Sequence, residues 1–233
     1  EALCDRATIL THGGVAGSVA MPCPAEKLVS MMFGGELVTE QAAKVMDVML
    51  GRHIRTEVHA PATGKQPALE LQGLTVGDAH VTVRDLSLAV QPGEVVGLAG
   101  LEGSGQRPVL WTAAGLRRPQ AGRVRLAGRD VTAASYLVRR REKLAYVPVD
   151  RMGLGLIAGL TLTEHEALAA EQGLFVDWRA AEAAANAHIR EFGIKGRAES
   201  LVEELSGGNQ QRALLSLLPP DLDVLLMEHP TRG

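Results

Sequence analysis

The sequence predicts an α/β fold, and three observations carry this prediction. EVVGLAG (94–100) and DVLLMEHP (223–230) are short apolar runs of the kind found in buried parallel strands. ALELQGLTV (68–76) and HVTVRDLSLAV (80–90) alternate apolar and polar residues as half-buried strands do, and the stretch from 160 to 215 has mostly helical patterning. Strands followed by helices and a further strand are typical of an α/β domain, and we expect the last elements of that domain to be missing from this chain.

The composition is that of an ordinary soluble globular protein, with 233 residues, 46% hydrophobic, 22% charged and a formal net charge of −3. This charge gives no overall attraction to nucleic acid, so we expect no nucleic-acid partner, and RRREK (139–143) is predicted to be a solvated helix face. Cys4 and Cys23 cannot form a disulfide framework, which indicates a reducing compartment. No apolar stretch approaches the roughly 20 residues of a membrane span, and the chain is therefore expected to be cytoplasmic.

The N-terminal part is predicted to contain a hairpin and two helices. DRATILTHGGVAGSVAM (5–21) indicates two short strands around a His-Gly-Gly turn, followed by an amphipathic helix from about Pro24 to Phe33. A second helix is predicted at 39–50. HAPATGKQPA (59–68) is rich in Pro and Gly and has no periodicity, so it is predicted to be a linker.

The sequence after the glycine-rich segment predicts one more strand and a capped helix. RVRLAGRDV (123–131) predicts one more strand and turn, and Asp177 is predicted to be the N-cap of the helix that begins at Trp178. His165 is expected at a solvated helix position, and Trp111 and Trp178 are expected to be partly buried anchors.

GLAGLEGSGQRPVL (97–110) joins the first buried strand to a helix that begins at about Gly105. Glycines at such a turn let several backbone N–H groups and the positive end of the helix dipole point at one spot, which suits a phosphate. The motif G-x-x-x-x-G-K-[ST] requires Lys and then Ser or Thr, but this chain has Gln106 and Arg107. A glycine-rich turn can also be purely structural, so the loop alone does not decide the function.

LSGGNQQR (205–212) closely resembles the signature motif of ATP-binding cassette (ABC) proteins, at the family's usual separations from a phosphate loop and a second acidic strand. VVGLAGLEGSGQR, AYVPVDRMGLGL and LSGGNQQR followed by PTRG resemble the second cassette of the fused ATP-binding subunits of sugar and nucleoside importers. CDRATILTHGGVAGSVAM resembles the end of the first cassette of such a tandem protein.

The resemblance implies a P-loop NTPase-like ABC cassette with an antiparallel β subdomain and a helical subdomain, truncated at its C-terminus. Residues 1–58 would be the remnant of a first cassette, 59–68 the linker, and 69–233 a second, incomplete cassette.

In this family each ATP lies between the phosphate loop of one cassette and the signature motif of the other. The resemblance therefore implies two sets of nucleotide-binding residues. To its own site the cassette would contribute Gly100, Gly103, Ser104, Gly105, Gln106, Arg107, the Val149 region, Glu228 and His229. To the partner's site it would contribute Ser206, Gly207, Gly208, Asn209 and Gln210. The cofactors implied are ATP and Mg²⁺, with Glu228 as a magnesium ligand through water.

The departures from the family pattern fall in the first set. Loss of the lysine removes a charge-assisted contact of about 1.5 to 3 kcal/mol, which weakens binding roughly 10- to 150-fold while leaving the backbone donors. Arg107 lacks the hydroxyl that binds magnesium. Glu228 and His229 stand as degenerate catalytic residues where the family has Asp and Glu. A histidine can in principle act as a base, but the lysine, the hydroxyl and the acid are all altered together, so we expect no turnover. Val149 replaces Glu or Gln, and the aromatic residue expected to stack on adenine is absent, since a gapless count reaches Gly77. We therefore expect a degenerate site beside an intact signature.

The resulting hypothesis is an ATP-binding subunit of an importer for a simple sugar or nucleoside. It would energise transport through membrane permease subunits, with a solute-binding protein as an indirect partner, and lie peripherally on the cytoplasmic face of the membrane. The segment from Tyr146 to Leu168 would be the coupling surface. The alternative is a soluble nucleotide-dependent regulator or scaffold on the same fold. An autonomous ATPase is disfavoured, and we expect this chain alone to be inactive.

Overall fold

A computed structural model describes residues 4–11, 13–32, 66–77, 81–170 and 175–229. The chain divides into two compact units, residues 1–142 and 143–233. Most of the predicted linker at 59–68 lies outside the described residues, as does the helix predicted at 39–50. The division into a first-cassette remnant and a second cassette stays a prediction.

The first unit contains two sheets. In the three-stranded sheet, β1 (Arg6–Thr11) pairs antiparallel with β2 (Gly14–Ala20) and parallel with β5 (Val96–Ala99), giving the order β2-β1-β5. The second sheet is antiparallel in the order β4-β3-β6-β7. Its strands are β3 (Leu69–Gly77), β4 (Thr82–Val90), β6 (Ala121–Leu126) and β7 (Arg129–Asp130).

The alternating patterns in the sequence correctly predict the antiparallel strands. Their inward-facing side chains form the core of the sheet, namely Leu69, Leu71, Leu74, Val76, Val83, Leu86, Val124 and Leu126. β5 differs from its prediction. It is parallel, as expected, but all four of its residues are only half-buried, because β5 lies at the end of its sheet and pairs only with β1 among the described strands.

The first unit has three described helices: α1 (Ala25–Met32), α2 (Gln106–Ala114) and α3 (Tyr136–Arg141). α1 confirms the helix predicted after Pro24. The prediction that RRREK is a solvated face is wrong for Arg139, whose side chain is fully buried. Burial lowers the pKa of the Arg139 guanidinium to about 10.

The second unit pairs β8 (Leu144–Val147) in parallel with β9 (Val224–Met227). Its helices are α4 (Leu162–Ala169), α5 (Trp178–Glu191) and α6 (Gly207–Ser216), with a π-helical turn at Arg151–Gly155 and a 3-10 turn at Val202–Glu204. They share one apolar core, formed by Val147, Leu156, Leu162, Ala185, Ile194, Ala198, Val202, Leu205, Ala213 and Leu214. Asp177 caps α5 by accepting a hydrogen bond from the Ala180 N–H (3.0 Å), which confirms that prediction.

Two expectations about this unit are wrong. His165 is buried rather than solvated. Both ring nitrogens have partners inside the protein: Nε2 accepts the Ile157 N–H (2.9 Å), and Nδ1 lies 2.8 Å from the Thr161 carbonyl oxygen. Trp178 stands at the exposed start of α5 and is 55% exposed, whereas Trp111 in the first unit is half-buried, as expected.

Two carboxylates of the second unit are held by main-chain donors. Glu164 and Thr161 form a capping box at the start of α4, and the hydrogen bonds from the Thr161 N–H and hydroxyl lower the pKa of Glu164. The Gly159 N–H donates to both oxygens of Glu203 and lowers its pKa in the same way. Within the described part of the chain, no helix is long and apolar enough to cross a membrane.

Candidate functional site

The glycine-rich loop leads from β5 into α2 with the geometry that its sequence predicts. Gly103 and Gly105 have φ of 83° and 111°, which favour glycine, and Gly105 packs so closely on Val83 that a side chain would not fit. The Ser104 N–H donates to the Leu101 carbonyl (3.0 Å) and closes the turn. Since the first N–H groups of a helix have no partner within the helix, the start of α2 offers backbone donors to an anion.

Gln106 is the first residue of α2, and its side chain turns back on the loop. Its Nε2 donates to the Leu101 carbonyl oxygen (3.3 Å) and lies 2.5 Å from where a Cβ on Gly100 would be. The amide is therefore part of the loop's own bonding and carries no charge. Arg107 is exposed, with its guanidinium 5.8 Å from the centre of the Trp111 ring. Of these two side chains only Arg107 carries a charge, and binding of an anion by this loop stays a prediction.

In the second unit, Glu228 and His229 follow directly after β9. Glu228 is buried, its Oε2 accepts the Val149 N–H (3.2 Å), and its own N–H donates to the Val147 carbonyl (2.9 Å). The carboxylate is therefore fixed beside the loop that follows β8. His229 is exposed and has a left-handed φ of 45°, which non-glycine residues rarely adopt outside turns and functional sites.

Glu228, His229 and Val149 line a shallow depression together with Arg151 and Gln211. In the ranges that the structure describes, no group of three or more His, Cys, Asp or Glu residues is arranged to hold a metal ion. The role of Glu228 as a water-mediated magnesium ligand stays a prediction.

The signature motif forms the start of α6. Ser206 is the N-cap, and Ser206, Gly207 and Gly208 are exposed. The Ser206 hydroxyl does not cap its own helix: its Oγ accepts a hydrogen bond from the Asn209 Nδ2 (2.9 Å). Because Asn209 uses that oxygen as an acceptor, the hydroxyl proton stays available to an outside acceptor.

Asn209 and Gln210 hold this helix start from the inside. Asn209 is buried and its Oδ1 accepts the Lys195 N–H (3.0 Å), while the Gln210 Nε2 donates to the Val202 carbonyl (3.1 Å). In the structure these polar side-chain atoms bond within the second unit. The assignment of Asn209 and Gln210 to a nucleotide site stays a prediction.

The predicted site residues thus lie in separate units. Gly100, Gly103, Ser104, Gly105, Gln106 and Arg107 belong to the first unit, whereas Val149, Glu228, His229 and residues 206–210 belong to the second. Glu228 and Val149 are brought together by the hydrogen bond described above. His80, the ring nearest to the expected adenine-stacking position, lies outside the described residues.

Arg151 is a residue that the sequence analysis missed. Its Nη1 donates to the Gly207 carbonyl oxygen (3.2 Å) and connects the π-helical turn to the signature helix. The turn is set by Asp150, whose Oδ1 accepts the Gly153 N–H (2.9 Å). The Asp-x-x-Gly spacing of DRMG is a capping signal that could have located this turn.

Comparisons with known proteins identify a family. The family model described as "ABC transporter" matches residues 83–232. The ribose import ATP-binding protein RbsA of Corynebacterium glutamicum is 34% identical over 88% of this chain and 41% of its own length. The nucleoside import ATP-binding protein NupA of Lactococcus lactis is 29% identical over 100% of this chain and 45% of its own length. The chain therefore spans less than half the length of these relatives.

Solved structures show the same similarity. A structure described as the ATP binding subunit of an ABC transporter is 28% identical, with a TM-score of 0.55, and the match covers 70% of this chain and 67% of the other. The structure of cbiO1 from Clostridium perfringens is 18% identical with a TM-score of 0.57, covers 72% of this chain and 68% of its own, and supports the fold alone.

Proposed function

This chain belongs to the ABC transporter family, and on that basis we propose that it is part of the ATP-binding subunit of an importer for a simple sugar or a nucleoside. In this proposal the chain contributes most of one cassette of a tandem protein. Its own nucleotide site is degenerate, and its signature motif completes the ATP site of the partner cassette. The names of the import relatives support the substrate class.

The state of the signature motif is the observation that carries this proposal. Ser206, Gly207 and Gly208 are exposed at the start of a helix of ten residues, where backbone N–H groups and the helix dipole favour an anion. Asn209 lies beneath them and leaves the Ser206 hydroxyl free to donate. This surface is suited to the terminal phosphate of an ATP held mainly by another cassette.

The chain's own loop fits a phosphate less well. The start of α2 supplies backbone donors, but Gln106 is uncharged and engaged with Leu101, and Arg107 offers no oxygen ligand to Mg²⁺. Bound Mg²⁺ neutralises charge on the phosphates during transfer. His229 occupies the position of the acid expected to polarise water, and its imidazole cannot supply a carboxylate's charge. These residues support weak nucleotide binding without turnover.

The proposed partner is a membrane permease, bound at the cytoplasmic face through the segment from Tyr146 to Leu168. Leu154, Ile157 and Leu168 are 61%, 52% and 59% exposed. Leu154 lies within the turn that Arg151 connects to the signature helix, and Ile157 follows that turn. Exposed apolar side chains at this position are suited to a protein partner that senses the signature helix.

The test is MgATP hydrolysis by the complete tandem protein reconstituted with its permease. Ser206→Arg places a bulky side chain on the signature surface, and we expect a loss on the order of 10²-fold, comparable to removal of a transition-state donor. Ser135→Arg is the matched control, because Ser135 is also an exposed N-cap without a side-chain cap bond. Gln106→Ala should leave hydrolysis nearly unchanged.

Full hydrolysis in the Ser206→Arg protein would refute the signature role. Hydrolysis that is lost with Gln106→Ala would show that the chain's own loop is the competent site. A protein that hydrolyses ATP equally with and without the permease would favour the soluble regulator over the importer.

A further inference from the structure

The N-terminal hairpin (residues 6–20, β1 and β2) lies against the strand that carries the glycine-rich loop. The parallel register runs from the pair of Arg6 with Val96 to the pair of Ile9 with Ala99, the last residue before the loop. Ile9 and Leu10 are fully buried. Although the hairpin precedes the loop by some ninety residues of chain, it is the sheet neighbour of the loop strand.

Polar contacts fix this pairing at both ends of β1. Arg6 donates to the Glu94 carboxylate (3.1 Å) and to the Ala89 carbonyl (2.7 Å). The Asp5 N–H donates to the Val95 carbonyl (2.8 Å), and the Asp5 carboxylate accepts the Val95 N–H (2.9 Å). At the other end, the Arg84 N–H donates to the Gly13 carbonyl (3.0 Å) and ties the hairpin turn to β4.

The end of β1 touches the first residue of the loop. The Leu10 carbonyl oxygen lies 2.5 Å from where a Cβ on Gly100 would be, so the backbone of the hairpin closes one side of the strand-to-loop corner. A displaced hairpin would leave β5 without the sheet partner it has in the described structure, because β5 is the terminal strand of its sheet. The direction in which the loop leaves the sheet therefore depends on the hairpin.

We propose that the N-terminal hairpin is a positioning element of the glycine-rich loop, so that the loop adopts its phosphate-binding shape only while β1 is paired with β5. The resemblance of the sequence implies that the hairpin is part of a preceding cassette, whereas this proposal assigns it a structural role in the loop's unit. The inference concerns the conformation of the loop and holds whether or not the loop binds ATP, so its failure is distinguishable from failure of the proposed function.

Cys4 can serve as one of the two cysteines of a disulfide that reports the pairing of β1 with β5. The Cys4 sulfur lies 3.0 Å, and the Cys4 Cβ 3.8 Å, from where a Cβ on Gly97 would be. A Cβ separation of about 3.8 Å is typical of a disulfide. We therefore expect Gly97→Cys, in the full 233-residue chain carrying Cys23→Ser, to form a disulfide with Cys4. Burial raises the pKa of Cys4, so oxidation is carried out at mildly alkaline pH.

The matched control is Val96→Cys. Val96 is the adjacent residue of the same strand, and its side chain points to the opposite face. Peptide mapping after oxidation should find the crosslink to Cys4 with Gly97→Cys and not with Val96→Cys. No crosslink, or an equal yield in both variants, overturns the pairing.

The positioning role is tested by hydrogen exchange. Arg6→Ala removes the contacts to Glu94 and Ala89, neither of which belongs to the loop. We expect it to speed exchange of the Ser104 and Val109 N–H groups, which donate to the Leu101 and Gly105 carbonyls, about tenfold through local opening. Oxidising the disulfide in the Arg6→Ala, Gly97→Cys, Cys23→Ser chain should restore slow exchange, and reduction should reverse it. An Arg6→Ala chain with unchanged loop exchange, or a crosslink that fails to restore it, overturns the proposal.

Discussion

Arg139 provides the most direct test of how the first unit is stabilised. Its side chain is fully buried, and all five guanidinium hydrogen bonds go to main-chain carbonyls. The acceptors are Thr112 (2.7 Å), Ala113 (2.8 Å), Val131 (2.7 Å), Thr132 (3.2 Å) and Ala134 (3.2 Å). Thr112 and Ala113 end α2, whose last carbonyls have no partner within the helix. Arg139 therefore joins the C-terminus of the loop helix to the segment before α3.

Arg139→Ala removes the guanidinium donors from all five carbonyls, although the Thr112 and Val131 oxygens still accept the Gly115 and Ala134 N–H groups. Each hydrogen bond to a charged group contributes about 1.5 to 3 kcal/mol, but the cost of desolvating the guanidinium offsets much of the total. We expect a net loss of about 3 to 5 kcal/mol in the free energy of unfolding, because each buried carbonyl that loses its donor costs about 1 to 3 kcal/mol and the truncated side chain leaves a cavity. Arg139→Lys should lose less, because three donors remain.

The assay is urea denaturation followed by tryptophan fluorescence. Trp111 lies in α2, and Trp178→Phe removes the second, exposed tryptophan so that the signal reports the first unit. Arg140→Ala is the control, since Arg140 is exposed on the same helix and should cost less than about 1 kcal/mol. Equal urea midpoints for the Arg139→Ala and Arg140→Ala chains would refute the conclusion that the buried hydrogen bonds of Arg139 stabilise this unit.

Three further predictions concern the loop, the signature helix and pH. Gly105→Ala should destabilise the first unit by about 1 to 3 kcal/mol more than Gly103→Ala in denaturant titrations, because both glycines have positive φ but only Gly105 is packed against a neighbouring side chain. Asn209→Ala should cost about 1 to 3 kcal/mol because it removes the buried side chain that accepts the Lys195 N–H, and Asn209→Asp, which keeps the acceptor, should cost less in the same measurement. Hydrogen bonds lower the pKa values of Glu164 and Glu203 in the folded state, so the unfolded chain binds more protons and the free energy of unfolding should fall as pH drops below about 4.5. Over that pH range, the urea midpoints of the Glu164→Gln and Glu203→Gln variants should fall less than the midpoint of the unsubstituted chain.

Features decided by a few neighbouring residues could be predicted from the sequence. Asp177 caps α5 three residues from its donor, and the alternating runs of β3 and β4 form the core they predict. The glycine-rich turn and the start of α2 also follow from local backbone requirements. Such features depend on contacts within one turn or one strand, where residue type and spacing carry most of the information.

Features decided by distant contacts could not be predicted in this way. Arg139 belongs to a basic run typical of a solvated helix, and it is buried because Thr112, twenty-seven residues earlier, presents a carbonyl to it. His165 lies on a helix of low amphipathicity and is buried by the Ile157 turn. The pairing of β5 with β1 joins segments that no local pattern connects.

The difference between backbone and side-chain chemistry also explains why a cassette can keep one role and lose another. Holding an anion requires helix starts and glycines, and these are present both at Gly105 and at Ser206. Turnover requires in addition a cation and a positioned acid, which are side-chain properties, and the chain has Gln106 and His229 at those positions. In the function that we propose, substitutions there remove catalysis without disturbing the helix start, and the signature surface serves a partner's site. This reasoning supports the asymmetric role that we propose.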